Sequence, residues 1–185
     1  VIEPTIGDST LSLEDWNRRY RAREEINDEP APLLVDAVRD LTPGRALDLA
    51  CGAGRNAVFL ERAGWNVAAI DGAAEAIRLV HEHDARIDAR VIDLESGAPL
   101  PFPDDSFDLV TILYYLHRPL FAEAKRVVKP GGLVVTAIRM RGINARFCVS
   151  QGELRSYFHG WPLLRESEGE IAEVVARKPV ASEAV

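Results

Sequence analysis

The stretch LDLACGAGRNAVFL, residues 47–60, passes from an apolar run through two glycines into an amphipathic run. Gly52 and Gly54 remove two Cβ atoms from a tight turn, which permits positive φ and close approach of a ligand. Three acids accompany that turn: Asp48, four residues before Gly52; Asp71, closing the next apolar run; and Asp93, closing the one after. An acid at the end of a second strand can accept both hydroxyls of a ribose. A carboxylate at the end of a third can accept a hydrogen bond from an adenine amino group. GAGRNA also satisfies the dinucleotide fingerprint G-x-G-x-x-G/A, a weak signal alone. Arg55 is the only basic residue in the turn, and no Walker-type phosphate loop is present. A crevice this rich in carboxylates repels a pyrophosphate and attracts a cation, which fits a sulfonium nucleoside better than a dinucleotide.

Positioning these acids requires alternating strands and helices. RALDLA (45–50), NVAAID (66–71), IDARVID (87–93), SFDLVTILYYL (106–116) and GLVVTAI (132–138) read as strands. Between them RNAVFLERAG (55–64), AAEAIRLVHEH (73–83) and RPLFAEAKRVV (118–128) read as helices, the last stopped by Pro130, Gly131 and Gly132. QGELRSYFHGW (151–161) reads as a short helix, and 162–178 splits around Gly169 into a hairpin. The expectation is an α/β, Rossmann-like, doubly wound and mostly parallel seven-stranded sheet with a C-terminal antiparallel hairpin strand. A single domain is expected over 1–185, with a helical cap (1–42) before the core (43–185). In the cap, Ser12 and Asp15 resemble a capping box, and Leu13, Trp16 and Tyr20 share one helix face.

Bulk properties narrow the partners. At 185 residues the chain can bury a sizeable core, and its net charge of −7 disfavours a nucleic-acid-wrapping surface. RRYRAR (18–23) runs directly into Glu24 and Glu25, a mixed, solvated face. No apolar run reaches the roughly 20 residues of a membrane span, and no secretory leader is legible. Two distant cysteines, Cys51 and Cys148, suit a reducing, cytoplasmic setting.

LDLACGAGRN, AAIDG, VIDLESGAPLPFPDDSFDLV and VKPGGLVV, in that order, resemble the motifs of class I S-adenosylmethionine-dependent methyltransferases. DWNRRY near the start and GELRSYFHGWPLLRESEG with VARKP near the end resemble, more narrowly, the small bacterial tellurite-resistance-type group. The resemblance implies S-adenosylmethionine as cofactor. It implies that the Gly52 and Gly54 backbone borders the cofactor's amino-acid end, with Asp48 beneath the methionine portion. Asp71 would bind the ribose, Asp93 and the Leu94 N–H would read the adenine, and Tyr20 would help hold the methionine carboxylate beside Trp16 and Arg19. Two departures stand out. Ala50 replaces a usual glycine, a change that adds a methyl. Gly72 stands where many relatives place an apolar residue against the adenine, which implies either weaker binding or another side chain in the gap.

Other readings of these residues remain open. Asp71 and Asp93 also suit helix caps, Asp48 a buried support for the turn, and Trp16 and Tyr20 core packing. YYLHR (114–118) follows the fourth strand, so Tyr115, His117 and Arg118 are candidates to orient or deprotonate an acceptor. Histidines titrate near neutrality, which suits a base, but no catalytic residue is diagnostic here. Arg146 and Arg155 are candidates for the acceptor side or for solvated surface. His81, Glu82, His83 and Asp84 point to different helix faces, so no metal is expected. The expected activity is methyl transfer to a small molecule, with no nucleic-acid or membrane partner; the narrower resemblance implies a chalcogen oxyanion or thiol as acceptor. A NAD-dependent oxidoreductase and a non-catalytic S-adenosylmethionine-binding module are the competing readings. A homodimer is compatible with the sequence.

Overall fold

A computed structural model describes residues 11–24, 27–142 and 145–180. Seven strands form one sheet: β1 (Arg45–Leu49), β2 (Asn66–Asp71), β3 (Asp88–Val91), β4 (Phe107–Leu113), β5 (Val128–Arg139), β6 (Leu163–Ser167) and β7 (Ile171–Arg177). Their order is β3-β2-β1-β4-β5-β7-β6, parallel through β5, with β7 antiparallel to both neighbours. The expected doubly wound sheet with its terminal antiparallel strand is present.

The helices are α1 (Leu13–Arg21), α2 (Pro32–Val38), α3 (Arg55–Arg62), α4 (Ala74–His83), α5 (Leu120–Val127) and α6 (Glu153–Ser156). Strand periodicity divides the core into two layers. Leu47, Leu49, Val110 and Ile112 pack with α5 and α6 residues such as Phe121 and Leu154. Ala46, Leu109 and Leu113 pack on the opposite face with Leu34 of α2, Leu60 of α3 and Ile77 and Val80 of α4. Both faces of the sheet are therefore covered, and functional groups can emerge only at its ends.

Several boundaries differ from expectation: β4 stops at Leu113, three residues short of Leu116, α5 covers only Leu120–Val127, and three further cases have clear local causes. β3 stops at Val91, two residues before Asp93, because the chain leaves the ladder into a turn in which Glu95 N–H donates to Asp93 Oδ1 (2.9 Å). β5 begins at Val128, not Gly132: Pro130 and the glycines lie within the strand, beside a register irregularity against β4. Gly132 is required there because a Cβ would lie 2.9 Å from the Asp108 carbonyl. The short helix α6 covers 153–156, since Gly152 in left-handed conformation (φ 75°) starts it and turns follow Ser156.

α1 begins with the expected capping box. Asp15 N–H donates to Ser12 Oγ (3.1 Å) and Ser12 N–H to Asp15 Oδ2 (3.0 Å). None of its residues is buried. It is held on α4 by polar contacts: Glu75 N–H donates to Asn17 Oδ1 (2.9 Å), Arg21 pairs with Glu75 (2.9 Å) and Arg23 with Glu82 (2.9 Å). α4 has no cap of its own at Ala73, so Asn17 supplies one from another element. The arginine run is thus partly spent on docking; Glu25, at its end, lies outside the described residues.

Candidate functional site

Strand order reverses between β1 and β4, and in open α/β sheets ligands bind beyond the carboxyl ends at such a point. The β1–α3 turn lies there, with Ala50 (φ 56°), Gly52 (φ 56°) and Gly54 (φ 92°) all left-handed. The two glycines have different reasons. A Cβ on Gly54, the residue capping α3, would stand 2.7 Å from Val80 Cγ2, so packing against α4 joins the left-handed φ in demanding glycine. A Cβ on Gly52 would stand 2.9 Å from Tyr20 Oη. What comes close to the turn at Gly52 is thus the N-terminal helix.

Asp71 closes β2 with both carboxylate oxygens engaged: Gly52 N–H donates to Oδ2 (2.9 Å) and Ala73 N–H to Oδ1 (2.8 Å). Burial raises its pKa, while those backbone donors oppose the shift. Tyr20 is half-buried, its phenol pushed up by burial and then by the Asp71 carboxylate, so it remains protonated. Its ring stacks on Trp16 (5.9 Å), and the Arg19 guanidinium lies 5.3 Å from the Trp16 ring. Tyr20, Gly52 and Asp71 are therefore brought together. Asp93 is exposed across the end of β3, and Leu94 packs against the core beside it.

Asp48 is 1% exposed, on the same sheet face as Thr111, its register partner on β4. Thr111 Oγ1 donates to Asp48 Oδ1 (2.6 Å), while Oδ2 has no hydrogen-bond partner. Burial raises this carboxyl to about 6 against the pull of Thr111 and Arg55. Thr111 was not among the expected residues. Its signal was a lone polar residue inside the apolar run of β4. Arg55 reaches the Tyr114 ring (5.2 Å) and the Glu29 carbonyl (3.2 Å). Tyr114, directly after β4, is itself left-handed (φ 62°), a strained position of the kind that collects at functional sites.

A neighbouring cleft of about 170 Å³ is lined by Glu95, Leu116, His117, Arg118, Pro119, Arg146 and Phe147. His117 and Arg118 sit here, with Tyr115 next to them in sequence; the Tyr115 hydroxyl donates to Glu95 Oε1 (3.2 Å), and burial holds its pKa up. Arg118 is heavily engaged. It pairs with Glu153 (2.8 Å) and donates to the carbonyls of Arg146 (3.2 Å) and Cys148 (3.3 Å). Glu153, held near 2, also accepts from Ser150 N–H (2.9 Å) and the Tyr157 hydroxyl (3.0 Å). Arg146 lies 3.9 Å from Glu95. Arg155 does not join this cleft: it pairs with Glu166 (3.2 Å) and lines a separate cavity with His159 and Trp161. Glu95, Phe147 and Glu153 carried no signal in the sequence, being ordinary residues that only folding makes neighbours.

Glu82 pairs with Arg23 and Arg78, and Asp84 with Arg86. Among the described residues, no group of three or more histidines, cysteines or acids is arranged to hold a metal. Nor is any helix among them long and apolar enough to cross a membrane.

Residues 47–136 match the family described as Methyltransferase domain. Over that stretch the chain resembles class I, S-adenosylmethionine-dependent methyltransferases, and among them the TehB group. It is 25% identical over 181 residues to a probable S-adenosyl-L-methionine-dependent methyltransferase TehB of Haemophilus influenzae, covering 90% of this chain and 61% of that protein. The crystal structure of TehB from Haemophilus influenzae superposes with a TM-score of 0.74 at 20% identity, covering 88% of this chain and 67% of that one. A demethylmenaquinone methyltransferase of Renibacterium salmoninarum is 36% identical over 110 residues, 57% of this chain and 45% of the relative. The chain spans about half the length of the first curated relatives it matches.

Proposed function

We propose that this protein transfers a methyl group from S-adenosylmethionine to a small-molecule acceptor. The observation that carries the reading is the meeting of the Gly52 turn, the Asp71 carboxylate and Tyr20 at the carboxyl edge of the sheet. The residues suit this cofactor on chemical grounds. The crevice is rich in carboxylates, with Asp71 closing β2 and Asp93 following β3, an arrangement that favours a sulfonium over a pyrophosphate.

In this reading Asp71 accepts the ribose hydroxyls and Asp93 with Leu94 N–H reads the adenine. The Gly52 backbone and Tyr20 hold the amino-acid end. When bound, the cofactor supplies an electrophilic methyl on a good leaving group. The chain's task is then alignment, which can contribute roughly 7–11 kcal/mol without any acid or base. The cleft beside His117 holds the acceptor, with Tyr115 at its edge, and its small volume suits a chalcogen oxyanion or a thiol. Arg118 lines this cleft and also shapes it through Glu153 and two loop carbonyls.

Calorimetry with S-adenosylhomocysteine on Asp71→Ala tests the cofactor half; the expected result is at least tenfold weaker binding with an unchanged fold. Unchanged affinity would remove Asp71 from the ribose role. Production of S-adenosylhomocysteine with tellurite, selenite or a simple thiol tests the acceptor half. Tight cofactor binding without turnover on any acceptor would leave a binding module.

A further inference from the structure

Gly72 directly follows Asp71, and its missing side chain has been replaced from elsewhere in the chain. A Cβ built on Gly72 would lie 2.7 Å from Leu13 Cδ2 and 3.7 Å from Leu13 Cδ1, with the Ile92 carbonyl next at 3.8 Å. A leucine at 72 would put its own methyls two bonds beyond that Cβ, in the space Leu13 Cδ2 now holds. Leu13 therefore lies against Gly72 at the end of β2, next to Asp71. It remains 46% exposed, an uncommon state for a leucine inserted against a backbone. The first residue of α1 is thus an apolar side chain set against the end of β2 and only half covered.

The way α1 is held makes this placement specific. Its anchors are polar and directional: Asn17 caps α4 at Glu75 N–H (2.9 Å), and Arg21 clasps the Glu75 carboxylate (2.9 Å). Those contacts fix the helix register, and register decides that Leu13 meets Gly72 while Tyr20, seven residues on, meets Gly52. One helix face thus touches both backbone positions flanking Asp71.

We propose that Leu13 is the apolar wall of the nucleoside half of the cofactor site, so that docking of α1 completes the site. This rests on the cofactor reading above. A ribose on Asp71 directs its base toward β3, where Leu13 offers the base a face that Gly72 cannot. Cofactor binding and α1 docking are then linked: each adds contacts that the other requires.

The test is calorimetric titration of the full chain with S-adenosylhomocysteine, comparing wild type, Leu13→Ala and the double variant Leu13→Ala/Gly72→Leu. Leu13→Ala is expected to bind roughly tenfold more weakly, as loss of a half-buried leucine side chain predicts. Its thermal midpoint should stay within a few degrees of wild type, because α1 buries no residue. The double variant should regain most of the lost affinity, since the side chain returns to the same space from position 72. Unchanged affinity in Leu13→Ala overturns the inference, as does a double variant no better than the single one. Wild type that fails to bind would overturn the cofactor reading and this inference with it, a result distinct from failure of the variants alone.

Discussion

Asp48 carries a clear electrostatic consequence at the residue scale. Its carboxyl titrates near 3.8 in the unfolded chain and about 6 when folded, so the folded state retains a proton over that interval. Its contribution to stability therefore falls as pH rises from about 4 to about 6 and is constant above. Asp48→Asn keeps an acceptor for Thr111 and removes the titration. Relative to wild type the variant should gain roughly 2–3 kcal/mol between pH 4 and pH 7. Urea denaturation at both pH values measures this; a constant difference would mean that Asp48 ionises normally. Ala50 makes a second case. The expectation of a mere added methyl was incomplete, because Ala50 sits at φ 56°, where a Cβ costs roughly 1–2 kcal/mol. Ala50→Gly should stabilise by up to about 1 kcal/mol after the extra unfolded-state entropy of glycine is counted. Chemical denaturation reads this directly, and a destabilised variant would refute the strain.

Between elements, the clasp from Arg118 to Glu153 joins the start of α5 to the segment after β5. Four donors meet the Glu153 carboxylate, from Arg118, Tyr157 and both Ser150 groups. This arrangement holds one wall of the cleft, so Arg118→Ala should lower stability by about 0.5–1 kcal/mol, the half-exposed pair being lost while Glu153 keeps its Ser150 and Tyr157 donors. Cofactor affinity should stay within about twofold of wild type in the same variant. A large loss of S-adenosylhomocysteine binding would show that the clasp reaches the nucleoside side. The sequence presented Arg118 as an acceptor-facing cation; its partners, 28 to 35 residues away, could be known only after folding.

For the whole molecule, the expectation is ligand-linked stability. In the proposed site the cofactor would bridge the ends of β1, β2 and β3 and touch α1, and so would bind the folded state alone. At about 100 times Kd it should add roughly 2.7 kcal/mol, a thermal shift of several degrees for a chain of this length. S-adenosylmethionine and S-adenosylhomocysteine should produce the shift and NADH should not. A shift with NADH alone would restore the oxidoreductase reading.

Local pattern determined much of this. NVAAID is β2 residue for residue, the capping box starts α1, and the hairpin splits about Gly169, because periodicity, caps and turn chemistry act over a few residues. The ordered motifs likewise carried the class of domain and the acids around the turn. Tertiary structure decided what those patterns could not contain. Asp93 leaves β3 early, and Gly54 answers to Val80 on another helix. The α2 helix emerges from a preface read only as helical, where Pro32 starts it and Leu33, Leu34 and Val38 bury against the sheet. Leu13 and Gly72 show the reason most plainly: 59 positions apart in the chain, they make one surface only because α1 docks on α4. Short-range chemistry is written in neighbouring residues, whereas a site wall depends on which distant backbone a side chain finally meets.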